Sequence, residues 1–261
     1  MQTSQLFGLS ILNVEKKELF AFFDQFLSAK DESSKTLTVF TPNPEQIVMA
    51  QTDKVFASNL AKADYLLPDG IGLVCASRTL KIFGKTDQKI KERIAGVDLV
   101  DNLLFLATSK ELKTLIIGGR DYCGSFEGEA FEDEKSLIEI KKNLFWTEGY
   151  QEKAEILPVE EEALAKIIER VQPNLVFVAL GAPDQEKWII DHRALLEANQ
   201  VKIAMAVGGS FDFLFNKVKR APLTIQKLGL EWLWRLIQQP WRKHRQLRLI
   251  KFISLVFREI F

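Results

Sequence analysis

The residues best placed to do chemistry sit in short blocks where apolar runs end. Thr41-Pro42-Asn43-Pro44-Glu45 follows Leu37 to Phe40, and Leu67-Pro68-Asp69-Gly70-Ile71-Gly72 follows the run that starts at Tyr65. Open α/β sheets gather ligands at such strand ends, so Asp69 is a site candidate. Pro-Asp-Gly is also ordinary turn chemistry, and Thr41 and Asn43 read equally well as a capping pair before a helix that opens at Pro44. Gly118-Gly119 closes another β-branched run and would let backbone amides approach a phosphate at a helix N-terminus. The following residues, Arg120 to Gly124, depart from G-x-G-x-x-G spacing, so this is not a dinucleotide fingerprint. By itself Gln185, in Gly181-Ala182-Pro183-Asp184-Gln185-Glu186-Lys187, belongs to a polar helix start. Arg93 reads as part of a solvated face and Asp98 as a helix cap.

These blocks need elements to hold them. Periodicity predicts a strand over Leu6 to Leu12, a helix over Val14 to Leu27, a strand over Lys35 to Phe40 and one helix over Asn43 to Ala63. A strand over Tyr65 to Leu67, a helix from Ile71 to Thr79 and a mobile polar loop from Lys81 to Lys91 come next. Further helices are expected over Asp98 to Ser109, about Glu127 to Lys142 and Glu160 to Arg170. The acidic face of the second of these is read as solvated. Strands are expected over Leu112 to Ile117, Leu144 to Trp146, Asn174 to Leu180 and Val201 to Val207. The alternation argues an α/β fold, a mainly parallel Rossmann-like sheet with helices on both faces. Composition turns basic and aromatic near Arg220-Ala221-Pro222, dividing an α/β domain (1–220) from a basic amphipathic C-terminal helical appendage (221–261).

The two strand-end blocks, together with Glu92-Arg93-Ile94-Ala95-Gly96-Val97-Asp98, Leu180 to Trp188 and Gly208-Gly209-Ser210-Phe211-Asp212, resemble, in order, the WecG/TagA/CpsF family of bacterial glycosyltransferases, glycosyltransferase family 26. The resemblance runs from about Thr41 to about Arg245. It implies that Asp69 is the general base that takes a proton from an acceptor sugar hydroxyl, a task that suits a carboxylate whose pKa is raised by burial. It implies further that Thr41 and Asn43 line the pocket, that Gln185 orients substrate, and that Arg93 contacts phosphate with its planar fork. The implied reaction moves an N-acetylmannosamine-type or uronic acid residue from a UDP-sugar to a polyprenyl-diphosphate-linked sugar with inversion, for a cell-surface polysaccharide. A protein of a different class, binding a nucleotide for regulation or scaffolding without turnover, would keep the glycine turns and tolerate loss of Asp69.

The implied donor carries a diphosphate, yet the chain has no D-x-D pair, and His192 and His244 stand alone in sequence. No metal site and no cofactor is expected, and a leaving diphosphate would be met by arginines and backbone amides. Arg235, Arg242 and Arg245 are the tail candidates, because the family's appendage is thought to cover the site with arginines and to attach the protein to a membrane. Net charge is zero over 261 residues, but residues 217–261 hold eleven Lys/Arg against Glu231 and Glu259, leaving +9 there and −9 elsewhere. A basic tail on an acidic body points to an anionic partner. Leu249, Phe252, Ile253, Val256, Phe257 and Ile260 recur at helical spacing, as in an interfacial helix on an anionic membrane surface. A homo-oligomer interface would show the same stripe. Nucleic acid is not expected, since aromatics interleave with cations only in the tail and at amphipathic spacing. With no apolar run near the roughly 18 residues a span needs and no signal-like N-terminus, the expected location is cytoplasmic, peripheral at the inner face of the membrane. Cys75 and Cys123 show no pairing framework and read as packing residues.

Overall fold

A computed structural model describes residues 1–29, 35–119, 129–131, 134–151, 156–215, 217–227, 229–240 and 243–261; the side chains of 129–131, 134–136, 227 and 243–246 are not included in the description. In chain order the elements are β1 (Thr3–Leu6), β2 (Leu9–Leu12), α1 (Lys16–Ser28), β3 (Leu37–Phe40), α2 (Pro44–Ala50), α3 (Lys54–Ala61), β4 (Tyr65–Leu66), α4 (Ile71–Ile82) and α5 (Gly96–Ser109). They continue as β5 (Thr114–Gly118), β6 (Glu129–Phe131), β7 (Glu134–Lys141), β8 (Leu144–Thr147), α6 (Pro158–Val171), β9 (Leu175–Ala179), α7 (Asp184–Asp191), α8 (Arg193–Ala198), β10 (Ile203–Ala206), α9 (Ser210–Leu214), α10 (Leu223–Lys227), α11 (Glu231–Gln238) and α12 (Lys243–Ile260). The chain forms two compact units, one of residues 1–19, 41–99 and 212–261, the other of 20–40 and 100–211.

The second unit holds a mostly parallel sheet in the order β3-β10-β9-β5-β8-β7-β6. From β3 to β8 neighbouring strands run parallel, in registers such as Met205 with Phe177 and Ile116 with Phe177. Leu175, Val176, Phe177 and Val178 are fully buried, as expected of a strand covered on both sides. Beyond β8 the direction alternates: β7 runs antiparallel to β8, Leu137 opposite Thr147, and β6 runs antiparallel to β7, Ala130 opposite Ile138. The sequence reading placed a helix there, from about Glu127 to Lys142. The acids read as a helix surface, but Ile138 to Lys141 alternates, Ile138 and Ile140 are β-branched, and a sheet edge at β8 supplies the hydrogen bonds that a lone helix would make internally.

The first unit starts with a hairpin instead of the single expected strand. β1 and β2 pair antiparallel across Phe7 and Gly8, both at positive φ (52° and 78°), the geometry that matches strand twist in a two-residue turn. The single helix expected over 43–63 is broken by Asp53, whose Oδ1 accepts from the Phe56 N–H at 2.9 Å and caps α3. The loop after α4, expected to be mobile, is tied down. Asn13 accepts from the Lys91 N–H (2.9 Å) and donates to Gln88 Oε1 and the Lys89 carbonyl (both 3.1 Å), while Ile90 is buried. Cys75 is exposed on α4, so it is not the packing residue expected; Cys123 lies outside the described residues.

α12 lies against α2 and α4. Phe252, Leu255 and Ile260 are buried, and the Phe252 ring meets Phe7 edge-on at 5.4 Å. Two members of the expected membrane stripe, Phe252 and Ile260, therefore serve internal packing. The exposed apolar face keeps Ile253 and Phe257 of that stripe and adds Leu247, Ile250 and Phe261.

Candidate functional site

In the first unit the Thr41–Asn43 and Asp69 blocks are adjacent. The Asp69 N–H donates to the Pro42 carbonyl (3.1 Å) and the Ile94 N–H to the Pro68 carbonyl (3.0 Å), joining three segments at one turn. Gly70, at φ 94°, makes that junction possible: a Cβ there would lie 3.1 Å from Pro44 Cδ in a conformation other residues rarely adopt. Asn43 caps α2. Its Oδ1 accepts from the N–H groups of Glu45 (3.0 Å) and Gln46 (3.1 Å), and Gln46 Oε1 accepts from the Asn43 N–H (3.0 Å), a complete capping box. Thr41, half-buried, follows directly on the end of β3.

Asp69 sits just ahead of α4, with 29% of its side chain in contact with solvent. Burial raises its carboxyl pKa above the usual range; Arg93 opposes the rise, Glu231 adds to it, and the Gly96 N–H bond pulls it back only in part. Arg93 Nε lies 3.5 Å from Asp69 Oδ1 and its Nη2 2.6 Å from Glu231 Oε2. Burial works against the Arg93 charge, yet Asp69 and Glu231 outweigh it and hold the guanidinium protonated.

The pairing extends beyond these three groups. Glu231 Oε1 also meets Arg220 Nε at 3.3 Å, Arg220 Nη2 meets Asp98, and Asp98 Oδ2 accepts from Lys16 Nζ at 2.6 Å. Signs alternate along the whole path from Asp69 to Lys16, which is how several half-buried charges avoid standing uncompensated. Asp98 is thus an ion-pair residue and not the helix cap expected; burial alone would raise its pKa, but hydrogen bonds from Lys16 and Arg220 bring it below the ordinary value. Glu231, Arg220 and Lys16 were missed in the sequence. One signal was available: Glu231 is one of only two acids in the basic tail.

α11 is seated beside Asp69 by close contact. Gly229, at φ 72°, packs so tightly on Ile71 that a Cβ would come within 2.5 Å of Ile71 Cγ2. Trp234 Nε1 and Gln238 Nε2 both donate to the Lys219 carbonyl, at 3.0 and 2.8 Å. Arg235 pairs with Asp212 and lies over the Phe213 ring, 4.7 Å from its centroid. Arg242 is outside the described residues, and Arg245 lies within α12 with its side chain not described.

In the second unit Gln185 bridges the carboxyl ends of two neighbouring parallel strands. Its Oε1 accepts from the Gly181 N–H (3.2 Å) after β9 and from the Gly208 N–H (3.0 Å) after β10, and its Nε2 donates to Glu186 Oε1 (2.9 Å). Both side chains are buried. Gly118 has a packing reason to be glycine: a Cβ would approach Leu180 Cδ2 to 2.9 Å, and its carbonyl accepts from Trp146 Nε1 at 2.9 Å. Gly119 follows at the end of β5; residues 120–128 lie outside the described residues, and where a helix was expected over about Glu127 to Lys142 the described residues 129–131 and 134–141 are strands. His192, stacked on Trp188, has its ring nitrogens 2.9 Å from the Trp188 carbonyl and 2.8 Å from Glu161. Among the described residues no group of three or more His, Cys, Asp or Glu could hold a metal ion, and no helix is long and apolar enough to cross a membrane.

A carboxyl of raised pKa beside a guanidinium is chemically able to take up a proton next to a group that attracts anions. Residues 4–261 match the family described as Glycosyl transferase WecG/TagA/CpsF family. The chain belongs to that family and is a glycosyltransferase. It is 32% identical over 259 residues to a protein of Bacillus subtilis (strain 168), covering 99% of this chain and 93% of that one. Similar relatives occur in Bacillus spizizenii (31%, 99% of this chain and 92% of the relative) and Staphylococcus aureus strain MRSA252 (30%, 84% and 79%). All three are named N-acetylglucosaminyldiphosphoundecaprenol N-acetyl-β-D-mannosaminyltransferase.

Proposed function

We propose that this glycosyltransferase moves an N-acetylmannosamine-type sugar from a UDP-sugar to a polyprenyl-diphosphate-linked acceptor sugar, inverting the anomeric centre, in assembly of a cell-surface polysaccharide. The observation that carries the reading is the Asp69 carboxyl, raised in pKa by burial and held beside Arg93 at the Thr41–Asn43 turn. A base works best when its pKa approaches the working pH, so a raised carboxyl suits removal of a sugar hydroxyl proton. In the step proposed, the acceptor O–H gives its proton to Asp69 while its oxygen bonds to the anomeric carbon. The bond from that carbon to the diphosphate oxygen breaks, and UDP leaves from the opposite face. A single displacement of this kind inverts the centre.

Arg93 is the cation nearest the base, and Arg235, Arg242 and Arg245 are the further candidates for the leaving diphosphate. Arg93 and Arg235 already hold carboxylates, so engaging phosphate through them exchanges one set of oxygens for another. Gln185, joined to the Gly181 and Gly208 backbones, supports the reading as an orienting residue by keeping those two turns fixed. Thr41 and Asn43 are assigned to sugar contacts. The exposed α12 face, flanked by Arg248, Lys251 and Arg258, supports peripheral attachment to the anionic cytoplasmic membrane surface.

The decisive experiment presents a panel of UDP-sugars with a lipid-diphosphate-linked N-acetylglucosamine acceptor and reads product mass. A UDP-hexosamine should give a product one sugar heavier. UDP binding without transfer from any donor would favour a regulatory protein instead. Because the chain has no D-x-D pair, transfer is expected to persist in excess EDTA; loss restored by added Mg²⁺ or Mn²⁺ would overturn that part.

A further inference from the structure

Among the described residues, Glu231 is the tail carboxylate that pairs with Arg93 beside the Asp69 turn. One oxygen holds Arg93 Nη2 at 2.6 Å and the other faces Arg220 Nε at 3.3 Å, with 12% of the side chain exposed. Arg93 Nε stands 3.5 Å from Asp69, a longer and weaker approach than the 2.6 Å from Nη2 to Glu231. A guanidinium can meet a carboxylate with two parallel N–H bonds, and Arg93 does not do so with Asp69. The seat is built: Gly229 against Ile71 fixes the approach to α11, and Trp234 and Gln238 on the Lys219 carbonyl hold its middle and end, with Glu231 at its start reaching Arg93.

We propose that Glu231 is a positioning residue for the transfer reaction: by occupying Arg93 Nη2, with Arg220 sharing its other oxygen, it keeps the guanidinium from closing on the Asp69 carboxylate. The inference rests on Asp69 being the base. Freed from Glu231, Arg93 turns its fork to Asp69 and stabilises the ionised carboxylate, which makes the base weaker. The charged groups in play are Arg93 and Glu231 around Asp69, Arg93 and Arg220 around Glu231, and behind them Asp98 and Lys16.

The test is a titration of full-length protein carrying ¹³C-labelled aspartate carboxyls, with the Asp69 signal identified by its loss in Asp69→Asn. In Glu231→Gln the Asp69 midpoint should fall by about one unit, the size an unshared opposite charge produces, and turnover at neutral pH should fall roughly tenfold. In Arg220→Gln it should rise, because Glu231 then pairs with Arg93 alone. Glu231→Asp should restore part of the shift. An Asp69 midpoint unchanged in folded Glu231→Gln, or moving the same way in both variants, overturns the proposal. Should Glu231→Gln not fold, a midpoint in Arg220→Gln that fails to rise overturns it alone. The titration is read on the carboxyl, so it separates this proposal from the role of Asp69: full turnover in Asp69→Asn would remove the base and leave the titration result standing.

Discussion

The Asp69 cluster of the first unit and the Gln185 bridge of the second hold their site residues by opposite means. Around Asp69 the side-chain neighbours Arg93 and Glu231 are charged, the path from Asp69 to Lys16 alternates in sign, and both Asp69 and Asp98 are displaced from their ordinary pKa, in opposite directions. Around Gln185 the partners are two backbone N–H groups and one carboxylate oxygen, and the amide itself does not titrate. Charged networks in a low-dielectric setting respond strongly to the loss of one member and can move a proton; an amide clamp supplies only geometry. Under the proposed function, reactivity belongs to the first arrangement and fixed shape to the second.

The sharpest way to break this contrast is Asp69→Asn, expected to lower turnover by roughly 10² or more while leaving the fold intact. Its stability follows from the sign of the shift. A carboxyl whose folded pKa is raised stabilises the fold when protonated, below its unfolded pKa, and that contribution is lost as pH rises through the folded value. Above that value ionised Asp69 is therefore a cost, and Asp69→Asn should melt no lower than the wild type. For the same reason, wild-type turnover should fall on acidification with a midpoint above that of an ordinary carboxylate. A variant within twofold of wild-type turnover, or an acid limb at an ordinary carboxylate pKa, would place the proton transfer elsewhere.

Gln185→Leu should act in the reverse order, stability first. It leaves the Gly181 and Gly208 N–H groups and Glu186 without the amide, at about 1–3 kcal/mol for each buried group stranded. A fall in melting temperature of roughly 10 °C is expected, with the pH profile of whatever activity remains unmoved. A shifted profile with unchanged melting would mean Gln185 belongs with the reactive group.

Gly229→Val sharpens the role of α11. The added side chain collides with Ile71 and must displace Glu231 from Arg93. Turnover should fall several-fold, with a stability loss of about 1–3 kcal/mol from strain and overpacking. A variant with wild-type kinetics would show that α11 can leave without consequence.

The smallest effect concerns attachment. Ile250→Glu with Phe257→Glu alters only the exposed face of α12, so sedimentation with anionic liposomes should weaken while turnover on a water-soluble acceptor stays within about twofold. Phe252→Glu would be uninformative, since that ring is buried. Unchanged sedimentation would assign the exposed face to another copy of the chain.

Much of the parallel sheet was legible from the sequence, because strands buried on both faces are continuous apolar runs: Leu175 to Ala179 and Ile203 to Ala206 fall inside the predicted segments. The blocks around Asp69, Arg93 and Gln185 were legible as site candidates because Pro and Gly punctuate strand ends. The β6–β7 hairpin was not, since acids in Glu127 to Glu134 mimic a helix surface and only the free edge of β8 favours strands. What the tertiary structure alone decided is which charges face each other. Arg93 lies 138 residues from Glu231 and 24 from Asp69, and no local spacing encodes either meeting. Nor does periodicity say which side of α12 is covered, because an amphipathic stripe records that a helix has an apolar face and not what lies against it; α2, α4 and Phe7 chose Phe252, Leu255 and Ile260.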